Sequence, residues 1–300
     1  MAGTDSVEVD GQRVRLSNLD KVLYHDDGFT KHDVITHYIA VSDPLLGQLA
    51  GRPATRKRWP DGVQATAGAF FEKHIPRGTP DWVRTVELDS PGSTRDRERV
   101  TYPVVDSLAT LVWLANLAAL ELHIPQWRVG PRGGARQPDR LVVDLDPGPP
   151  AGLPECAQVA LLVRERLSAD GYDPVPVTSG SKGLQLYATT AGRQGPDAVR
   201  SYMRTVAQEL AAAHRGSIVA RMDKSARAGK VFIDWSQNDA AKTTIAPYSL
   251  RGRDRPWVAA PRTWTEIEDT VSLTQVLAVE LPDRLADLGD LMASSAPTHT

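Results

Sequence analysis

Cysteine and phenylalanine are scarce in this chain of 300 residues. The single cysteine, Cys156, excludes a disulfide framework within the chain, which fits a protein of a reducing compartment. It falls within a helical pattern, and this predicts a small core residue rather than a reactive thiol. Two of the only four phenylalanines are adjacent, at Phe70 and Phe71. A chain of this length can still bury a sizeable core, so one large domain or two closely packed lobes both fit it.

Long hydrophobic runs and targeting signals are also missing. The longest apolar stretch, at about residues 111–120, is interrupted by Asn116 and is too short to cross a membrane. The first residues, from Met1 to Ser6, lack the basic and apolar regions of a signal peptide. We therefore expect a cytoplasmic protein with no membrane partner.

Neither sign of charge dominates the sequence. Lysine and arginine number 35 against 37 aspartates and glutamates, a formal net charge of −2. This balance argues against a histone-like binder of polyanions but allows local basic patches. Lysine is the rarer basic residue, with eight lysines against 27 arginines. The positions at which lysine is used are therefore informative.

The most informative stretch is Arg140–Gly148, an apolar run that carries Asp144 and Asp146 and ends in a Pro-Gly turn. As a strand, it would point both carboxylates to one face and its leucines and Val143 into a core. Neighbouring carboxylates repel each other unless a cation lies between them, and Mg²⁺ or Mn²⁺ accepts such oxygen ligands. The alternative is structural, with Asp146 opening the turn and Asp144 exposed to water.

The segments that follow indicate a sheet with a second acidic strand. Strands are predicted at 174–178, 184–187, 217–220 and 231–235, and helices at 153–169 and 196–214. The last of these strands carries Asp234. The turn Ser179–Gly183, with its glycines and Lys182, exposes backbone N–H groups that can cradle phosphates. Three carboxylates on neighbouring strands beside such a turn describe a two-metal phosphoryl-transfer site.

Basic residues cluster in three further segments. Residues 51–60 place four of them beside a tryptophan, which suits phosphates and bases as well as it suits a solvated surface. The segments 221–230 and 242–253 surround the strand of Asp234 with positive charge. Six of the eight lysines flank these elements, namely Lys31, Lys57, Lys182, Lys224, Lys230 and Lys242. Lysine binds phosphate as a compact point charge, so this distribution favours a nucleotidyl transferase.

The N-terminal part predicts a few elements and one contact loop. A hairpin is predicted at residues 10–11, and helices from Lys31 to about Ala50 and from Asp106 through Leu120. The charged loop 87–99 is a candidate contact surface. His123 and the phenylalanine pair each allow two interpretations, a place in the core or a contact with a ligand.

Four motifs are similar to the polymerase domain of the bacterial end-joining ligase D, within the archaeo-eukaryotic primase superfamily. They are Leu-Val-Val-Asp-Leu-Asp-Pro-Gly at 141–148, Thr-Ser-Gly-Ser-Lys-Gly at 178–183, Lys-Val-Phe-Ile-Asp-Trp-Ser-Gln-Asn at 230–238 and Lys-Thr-Thr-Ile-Ala-Pro-Tyr-Ser-Leu-Arg-Gly-Arg at 242–253. The resemblance runs from about Arg15 to Gly289. It implies an α/β (α+β) fold, with a primase-like catalytic core, an RRM-like antiparallel or mixed sheet and an N-terminal lobe. Residues 1–120 would form that lobe with its DNA-binding elements. Residues 121–300 would form the core and C-terminal helices, packed closely enough to act as one polymerase domain.

The same resemblance implies roles for particular residues. Asp144, Asp146 and Asp234 would be catalytic and bind the metals. The incoming nucleotide would be held by Lys57, His123, Ser179, Gly180, Lys182, Gln185, Gln237 and Arg251. DNA would be contacted by Asn18, Lys21 and Lys31 at the 5′-phosphate of a gap, by Phe70 and Phe71 at the template, and by Arg227 at the primer or template.

The activity implied is the addition of nucleotides, preferentially ribonucleotides, to 3′ ends at gaps and double-strand breaks. Two divalent ions, Mn²⁺ or Mg²⁺, are the implied cofactors, and NTPs and dNTPs are the implied substrates. The implied partners are DNA with gaps or broken ends, Ku and a DNA ligase, in the nucleoid of a bacterial cytoplasm. Because the sequence has no room for ligase or nuclease domains, it resembles a stand-alone relative or an excised domain.

One residue departs from the family pattern. The turn normally continues as Gly-Leu-His-Leu-Tyr, and here Gln185 replaces the histidine. This difference favours a second hypothesis, a DNA-end-binding module that bridges breaks with little synthesis. A third hypothesis, a two-metal nuclease, requires a water-activating base, for which we find no candidate in the sequence.

Overall fold

The computed structural model describes residues 4–89 and 99–293. The helices are α1 (Lys31–Ala40), α2 (Ser42–Leu49), α3 (Leu108–Asn116), α4 (Leu153–Ala169), α5 (Pro196–Ala213), α6 (Trp264–Glu268) and α7 (Leu281–Leu288). The strands are β1 (Thr4–Val9), β2 (Gln12–Ser17), β3 (Val22–Tyr24), β4 (Phe29–Thr30), β5 (Thr55–Arg58), β6 (Phe70–Glu72), β7 (Thr85–Asp89), β8 (Arg99–Pro103), β9 (Ala119–Ile124), β10 (Arg140–Pro147), β11 (Val175–Thr178), β12 (Leu184–Thr189), β13 (Ile218–Val219), β14 (Val231–Asp234), β15 (Thr244–Ile245), β16 (Trp257–Val258), β17 (Ala260–Pro261) and β18 (Val276–Leu277). Most of the contact loop predicted at 87–99 lies outside the described residues. Among the described helices, none has the length and apolar character to cross a membrane.

The N-terminal hairpin is confirmed, but the helix predicted after it is two helices. Asp10 and Gly11 connect β1 to β2 with φ values of 50° and 70°, as a two-residue hairpin turn requires. The capping box of Thr30 starts α1 where it was predicted. The chain then leaves the helical conformation at Val41, before α2 begins. Pro44 explains the break, because it has no N–H to continue the bonding of α1 and is tolerated only in a first turn.

The helix predicted from Asp106 through Leu120 is wrong at both ends. Ser107, not Asp106, caps α3 by accepting the N–H of Thr110. The helix ends at Asn116, and the chain reverses at Ala118, where φ is 56°, to enter β9. Leucine and alanine runs that are buried on all sides fit a helix or a strand, so periodicity did not locate the change.

Two sheets organise the molecule. The larger has the order β13-β14-β10-β12-β11-β17 and is antiparallel except for the parallel pair β13 and β14. The smaller has the order β15-β9-β5-β6 and is antiparallel throughout. The acidic strand β10 lies inside the six-stranded sheet, with β12 and β14 as its neighbours. The mixed helix and strand architecture agrees with the predicted α/β (α+β) fold.

The two faces of β10 belong to different cores, as its alternation predicted. Leu141, Val143 and Leu145 are fully buried in a core that also contains the apolar sides of α4 and α5. Cys156 is buried in the same core, which confirms its predicted place. Val142 faces the other core, shared with the four-stranded sheet and the N-terminal helices. The carboxylates of β10 lie on the face of Val142, so they point to the space between the two sheets.

The boundary expected between residues 1–120 and 121–300 falls inside β9. The core around Val142 contains residues from both sides of that boundary. The division into a lobe and a catalytic core stays a prediction.

Candidate active site

Three carboxylates meet where β10 pairs with β14. Asp144 lies directly opposite Asp234 in the antiparallel register, and Asp146 lies opposite Phe232. One carboxylate oxygen from each of the three aspartates lies within 4.8 Å of the other two. We call Asp144, Asp146 and Asp234 the acidic wall. Strand pairing, rather than nearness in sequence, brings its third member to the first two.

Gln185 holds one carboxylate of the acidic wall. It lies opposite Asp144 on β12, and its amide nitrogen donates to Asp144 Oδ1 at 3.0 Å. The hydroxyl of Tyr187 donates to the amide oxygen of Gln185 at 2.8 Å, which turns the amide nitrogen toward Asp144. Gln185 therefore contacts a candidate metal ligand, and its predicted contact with the nucleotide stays a prediction.

Asp234 is held by residues that follow it closely in the chain. Ser236 donates to Asp234 Oδ1 through its N–H at 3.0 Å and also through its hydroxyl. Gln237 donates to the other carboxylate oxygen at 3.0 Å. The ammonium of Lys242 lies 3.9 Å from that oxygen and donates to the Ser236 hydroxyl. Lys242 thus belongs to the acidic site, although sequence analysis placed it only among the flanking lysines.

Nearby cations only partly compensate the negative charge on the acidic wall. Burial, together with the charges of Asp146 and Asp234, raises the pKa of Asp144 to about 7. Burial and the charge of Asp234 also raise the pKa of Asp146. Carboxylates this close ionise together readily only when a cation neutralises them. Three oxygen donors at this spacing therefore fit a hard divalent ion of the Mg²⁺ or Mn²⁺ type.

A cavity of about 280 Å³ opens beside Asp144 and Asp146. Six of the residues predicted to hold the nucleotide line it, namely His123, Ser179, Lys182, Gln185, Gln237 and Arg251. Sequence analysis did not assign four further polar residues of the lining, Ser181, Thr243, Thr244 and Arg253. All four lie inside the motifs 178–183 and 242–253. The motifs as a whole therefore indicated these positions, although no role was assigned to the individual residues.

A buried carboxylate, Glu121, contacts three basic side chains, Lys57, His123 and Arg251, which we call the cationic wall. His123 and Arg251 line the cavity, and Lys57 lies outside its lining. Burial lowers the pKa of His123, against the effect of its hydrogen bond with Glu121, so the permanent positive charges of this wall are those of Lys57 and Arg251. Glu121 Oε2 lies 2.8 Å from His123 Nε2, 3.7 Å from Arg251 Nη1 and 4.0 Å from Lys57 Nζ. Its Oε1 accepts the N–H of Gly252 at 3.0 Å. Burial would raise the pKa of Glu121, but the hydrogen bond with His123 and the charges of Arg251 and Lys57 lower it to about 2. Sequence analysis missed Glu121, whose spacing of two from His123 on a strand was the available signal.

The turn Ser179–Gly183 is held by Gln275. The side chain of Gln275 accepts the N–H of Gly180 at 2.7 Å and donates to the carbonyl of Gly183 at 3.2 Å. The N–H of Ser179 donates to the same carbonyl at 3.1 Å. Two of the backbone groups predicted to cradle phosphates are therefore bonded within the protein. Lys182 lines the cavity, and the phosphate contact of the turn stays a prediction.

Successive residues of β5 serve two surfaces. Lys57 pairs with Phe71 and belongs to the cationic wall, whereas Arg58 pairs with Phe70 and projects to the opposite face. Phe70 and Phe71 are 44% and 52% exposed, so the core interpretation of this pair is wrong. The ring of Phe71 lies 5.9 Å from that of His123 in an edge-to-face arrangement. The predicted template platform thus adjoins the nucleotide cavity.

Asn18, Lys21 and Lys31, the residues predicted for the 5′-phosphate, lie together. The N–H of Lys21 donates to the carbonyl of Asn18 at 3.1 Å, and that of Lys31 to the carbonyl of Lys21 at 2.8 Å. Burial and the charges of Lys21 and Arg58 lower the pKa of Lys31. The ammonium of Lys21 pairs with Asp61 at 2.8 Å. Converging positive charges suit an anion, and Arg58 is a cation of this group that sequence analysis did not assign.

Arg227 is not among the residues that line the cavity. It ends a 3₁₀ turn at Lys224–Arg227, and its guanidinium lies 3.7 Å from the ring centroid of Phe232. Its charge opposes the rise in the pKa of Asp146. A Cβ at Gly148 would lie 2.0 Å from the carbonyl oxygen of Arg227, so the turn packs closely on the end of β10. Its contact with primer or template stays a prediction.

A mixed sheet carries the acidic wall, and Asp144 and Asp146 line one cavity together with His123 and Arg251 of the cationic wall. This arrangement fits the class of proteins that carry out metal-dependent phosphoryl transfer. Residues 30–292 match the family described as "LigD, primase-polymerase domain". The chain therefore belongs to the LigD primase-polymerase domain family.

Curated relatives and a solved structure agree with this assignment. The chain is 47% identical over 287 residues to the "Multifunctional non-homologous end joining DNA repair protein LigD" of Mycobacterium tuberculosis (strain ATCC 25618 / H37Rv), a match that covers 94% of this chain and 37% of that protein. It is 30% identical over 282 residues to the "Bifunctional non-homologous end joining protein LigD" of Bacillus subtilis (strain 168), covering 92% and 43%. The structure "Polymerase Domain from Mycobacterium tuberculosis Ligase D in complex with DNA" is 46% identical with a TM-score of 0.89, covering 95% of this chain and 100% of that one.

These matches confirm the family and the primase-like fold predicted from the four motifs. The chain spans less than half the length of both curated relatives, at 37% and 43%. It corresponds to the whole of the solved polymerase domain.

Proposed function

We propose that the chain is a DNA-dependent nucleotidyltransferase that extends 3′ ends at gaps and double-strand breaks. The observation that carries this proposal is that residues of the acidic wall and of the cationic wall line one cavity. One wall has three carboxylates within 4.8 Å of each other. The other has the cations Lys57 and Arg251 and the imidazole of His123 around Glu121. A nucleoside triphosphate with divalent ions matches both, because it presents anionic phosphates to one wall and cations to the other.

Asp144, Asp146 and Asp234 would hold two divalent ions, Mn²⁺ or Mg²⁺. When bound, these ions would neutralise developing charge and align the displacement at the α-phosphate. The contribution of the protein is to keep the carboxylates in place. Gln185 donates to Asp144, and Gln237 donates to Asp234, each at 3.0 Å.

The triphosphate would lie against the cationic wall. The N–H groups of Lys57, His123 and Arg251 would donate to phosphate oxygens through charge-assisted hydrogen bonds. Lys182 and Ser179 line the same cavity and would contact the nucleotide from the turn on the six-stranded sheet. The preference for ribonucleotides rests on the resemblance of the four motifs to the family.

DNA would bind on the β5–β6 side of the site. Phe70 and Phe71 would stack on the template, while Asn18, Lys21 and Lys31 would hold the 5′-phosphate of a gap. A solved relative is named as a complex with DNA, and the curated relatives are named as end-joining proteins, which supports a role in break repair. Ku and a DNA ligase would then be partners in the bacterial nucleoid.

Primer extension tests the proposal directly. A labelled primer on gapped DNA, with Mn²⁺ and either ribonucleotides or deoxyribonucleotides, should gain nucleotides, faster with the ribonucleotides. The reaction should stop when the divalent ion is chelated. The matched control is Asp144→Ala, which should bind the same DNA without extending it.

A second candidate function is a DNA-end-binding module with weak synthesis. It is favoured by Gln185, which replaces the family histidine and donates to Asp144. Binding of DNA ends that depends on the 5′-phosphate, without any extension by the wild-type protein, would support this module instead. Shortening of the primer would support a nuclease and contradict both functions.

A further inference from the structure

We infer that Glu121 is a positioning residue for the triphosphate, holding Lys57, His123 and Arg251 as one preorganised cationic wall. The inference rests on the proposed nucleotide binding. It gives a role to Glu121, which was not among the residues predicted to contact the nucleotide. Glu121 is 2% exposed and is not among the residues that line the cavity. It would therefore act through these three basic side chains rather than by touching the nucleotide.

The contacts of Glu121 all lead to the nucleotide side of the cavity. Its basic neighbours are Lys57 from β5, His123 from its own strand β9 and Arg251 from the segment after β15. Without a shared anion, the cations Lys57 and Arg251, which come from separate elements, would repel each other. One carboxylate between them therefore sets their mutual positions.

The segment that carries Arg251 is fixed at its backbone as well. Glu121 accepts the N–H of Gly252 at 3.0 Å, and the hydroxyl of Tyr24 donates to the carbonyl of Arg251 at 2.8 Å. A Cβ at Gly252 would lie 2.2 Å from the ring of Trp59, so the segment is packed tightly there. The ammonium of Lys57 lies over the same ring, 4.8 Å from its centroid. Glu121 at the centre of the cationic wall and Trp59 at its edge therefore both hold the wall in place.

Preorganisation and simple electrostatics predict opposite effects for the loss of this carboxylate. If Glu121 only adds negative charge, its removal would make the site more positive and strengthen triphosphate binding. If Glu121 positions the cations, its removal would leave them to be ordered by the ligand, and binding would weaken. The burial and the number of contacts favour the second account.

The test is nucleotide binding by Glu121→Gln, measured by titration calorimetry with UTP and with UMP in the presence of Mn²⁺. Glutamine keeps the size and can still accept from Gly252, but it removes the negative charge that anchors His123. We expect the Kd for UTP to rise by about tenfold, while that for UMP changes little, because the wall serves the outer phosphates. Binding of Mn²⁺ alone should not change, since the acidic wall is intact.

Glu266→Gln is the matched control. Glu266 is also held by two cations, with Arg262 and Arg284 each 2.7 Å away, and hydrogen bonds and these charges likewise lower its pKa to about 2 against the effect of burial. It lies on α6, and it does not line the nucleotide cavity. The substitution should lower the melting temperature without changing the ratio of UMP to UTP affinity.

A double-mutant cycle tests the route of the effect. If Glu121 acts through the cations, Glu121→Gln should weaken UTP binding much less in a His123→Ala background than in the wild type. Additive losses would overturn the inference. If Glu121→Gln does not fold, Glu121→Asp is measured instead, because it keeps the charge but withdraws it by one methylene, and the same selective loss for UTP is expected.

The outcomes separate this inference from the proposed function. Failure of the wild-type protein to bind UTP with Mn²⁺ would contradict the proposed function itself. Binding by the wild type with equal or tighter binding by Glu121→Gln would overturn only the role of Glu121. Equal weakening of UTP and UMP, together with a lower melting temperature, would assign Glu121 a purely structural role and overturn the inference as well.

Discussion

The acidic wall and the cationic wall face one cavity, but they are stabilised in opposite ways. On the acidic wall, three like charges meet beside one ion-paired cation, Lys242, and the pKa of Asp144 is still raised to about 7, first by burial and then by the charges of Asp146 and Asp234. On the cationic wall, like charges meet around Glu121, whose pKa is lowered to about 2 by them against the effect of burial. One wall is thus neutralised within the protein, whereas the other keeps an excess of negative charge that a divalent cation would fit.

The two walls also differ in how the fold places them. The acidic wall lies on paired strands inside a sheet, so the register of β10 and β14 sets its geometry. The cationic wall gathers side chains from two strands and a following segment, and no single register relates all three. Instead, the buried carboxylate of Glu121 contacts all three side chains and sets their relative positions.

The largest expected effect comes from breaking the acidic wall. Asp144→Ala, Asp146→Ala or Asp234→Ala should lower the rate of nucleotide addition by at least about a thousandfold, because metal ligands act as a unit. Fold and DNA binding should persist, since loss of one carboxylate relieves repulsion. Primer extension with Mn²⁺ and a DNA-binding titration measure both. Extension at a rate near that of the wild type would contradict the two-metal assignment.

Metal-free stability should respond to the two walls with opposite signs. At pH 8 without divalent ions, Asp144→Asn should stabilise the protein by on the order of 4 kcal/mol, because it removes an ionised group that the fold disfavours. Glu121→Gln should destabilise it by about 3 kcal/mol, since the wild-type carboxylate is favoured by its cations. Denaturant titrations of the three proteins measure these differences.

The pH dependence of these differences follows from the pKa shifts. The pKa of Asp144 is raised from 3.8 to about 7, chiefly by burial, so its destabilising effect is present above pH 7 and disappears as the pH falls toward 4. The pKa of Glu121 is lowered from 4.5 to about 2, so its stabilising effect is present above pH 4.5 and is lost as the pH falls toward 2. Addition of Mn²⁺ should stabilise the wild type more than Asp144→Asn. Differences of the same sign for both variants at pH 8 would break the comparison.

A smaller effect is expected at the 5′-phosphate site, on the other face of β5. A terminal phosphate carries close to two charges, and charge-assisted contacts contribute about 1.5–3 kcal/mol each. Lys21→Ala or Lys31→Met should therefore weaken binding to gapped DNA by about tenfold, and only when the downstream 5′-phosphate is present. Lys230→Ala is the control, because this lysine donates to the carbonyl of Arg215 far along the chain from β5. Equal affinity of the wild type for phosphorylated and unphosphorylated gaps would reject the site.

The smallest expected effect concerns Gln185, which lines the cavity and donates to Asp144. A histidine here could donate a charge-assisted hydrogen bond to the triphosphate, whereas the glutamine amide is neutral. The difference is about 1 kcal/mol, so Gln185→His should raise kcat/KM for ribonucleotide addition by about fivefold, with no change in DNA affinity. Steady-state primer extension measures it. A variant that is unchanged or slower would show that position 185 serves Asp144 and not the phosphates.

Local patterns in the sequence predicted the parts of the site that depend on local geometry. Strand alternation placed Asp144 and Asp146 on one face, since side chains two apart on a strand always share a face. The Asp-Gly turn at residues 10–11 and the capping box at Thr30 were likewise predictable, because they depend on bonds within a few residues. The four motifs indicated the family and, through it, most of the cavity lining.

Tertiary structure alone decided which distant residues meet. The register that sets Asp234 opposite Asp144, the contacts of Glu121 with Lys57 and Arg251 and the turn of the Gln185 amide toward Asp144 all depend on pairing across the chain. The passage from α3 to β9 was unpredictable for the same reason, since a run of leucine and alanine buried on all sides has no polar face to show its period. Sequence patterns encode bonds and faces within one element, whereas the relative positions of elements follow from packing and charge between them.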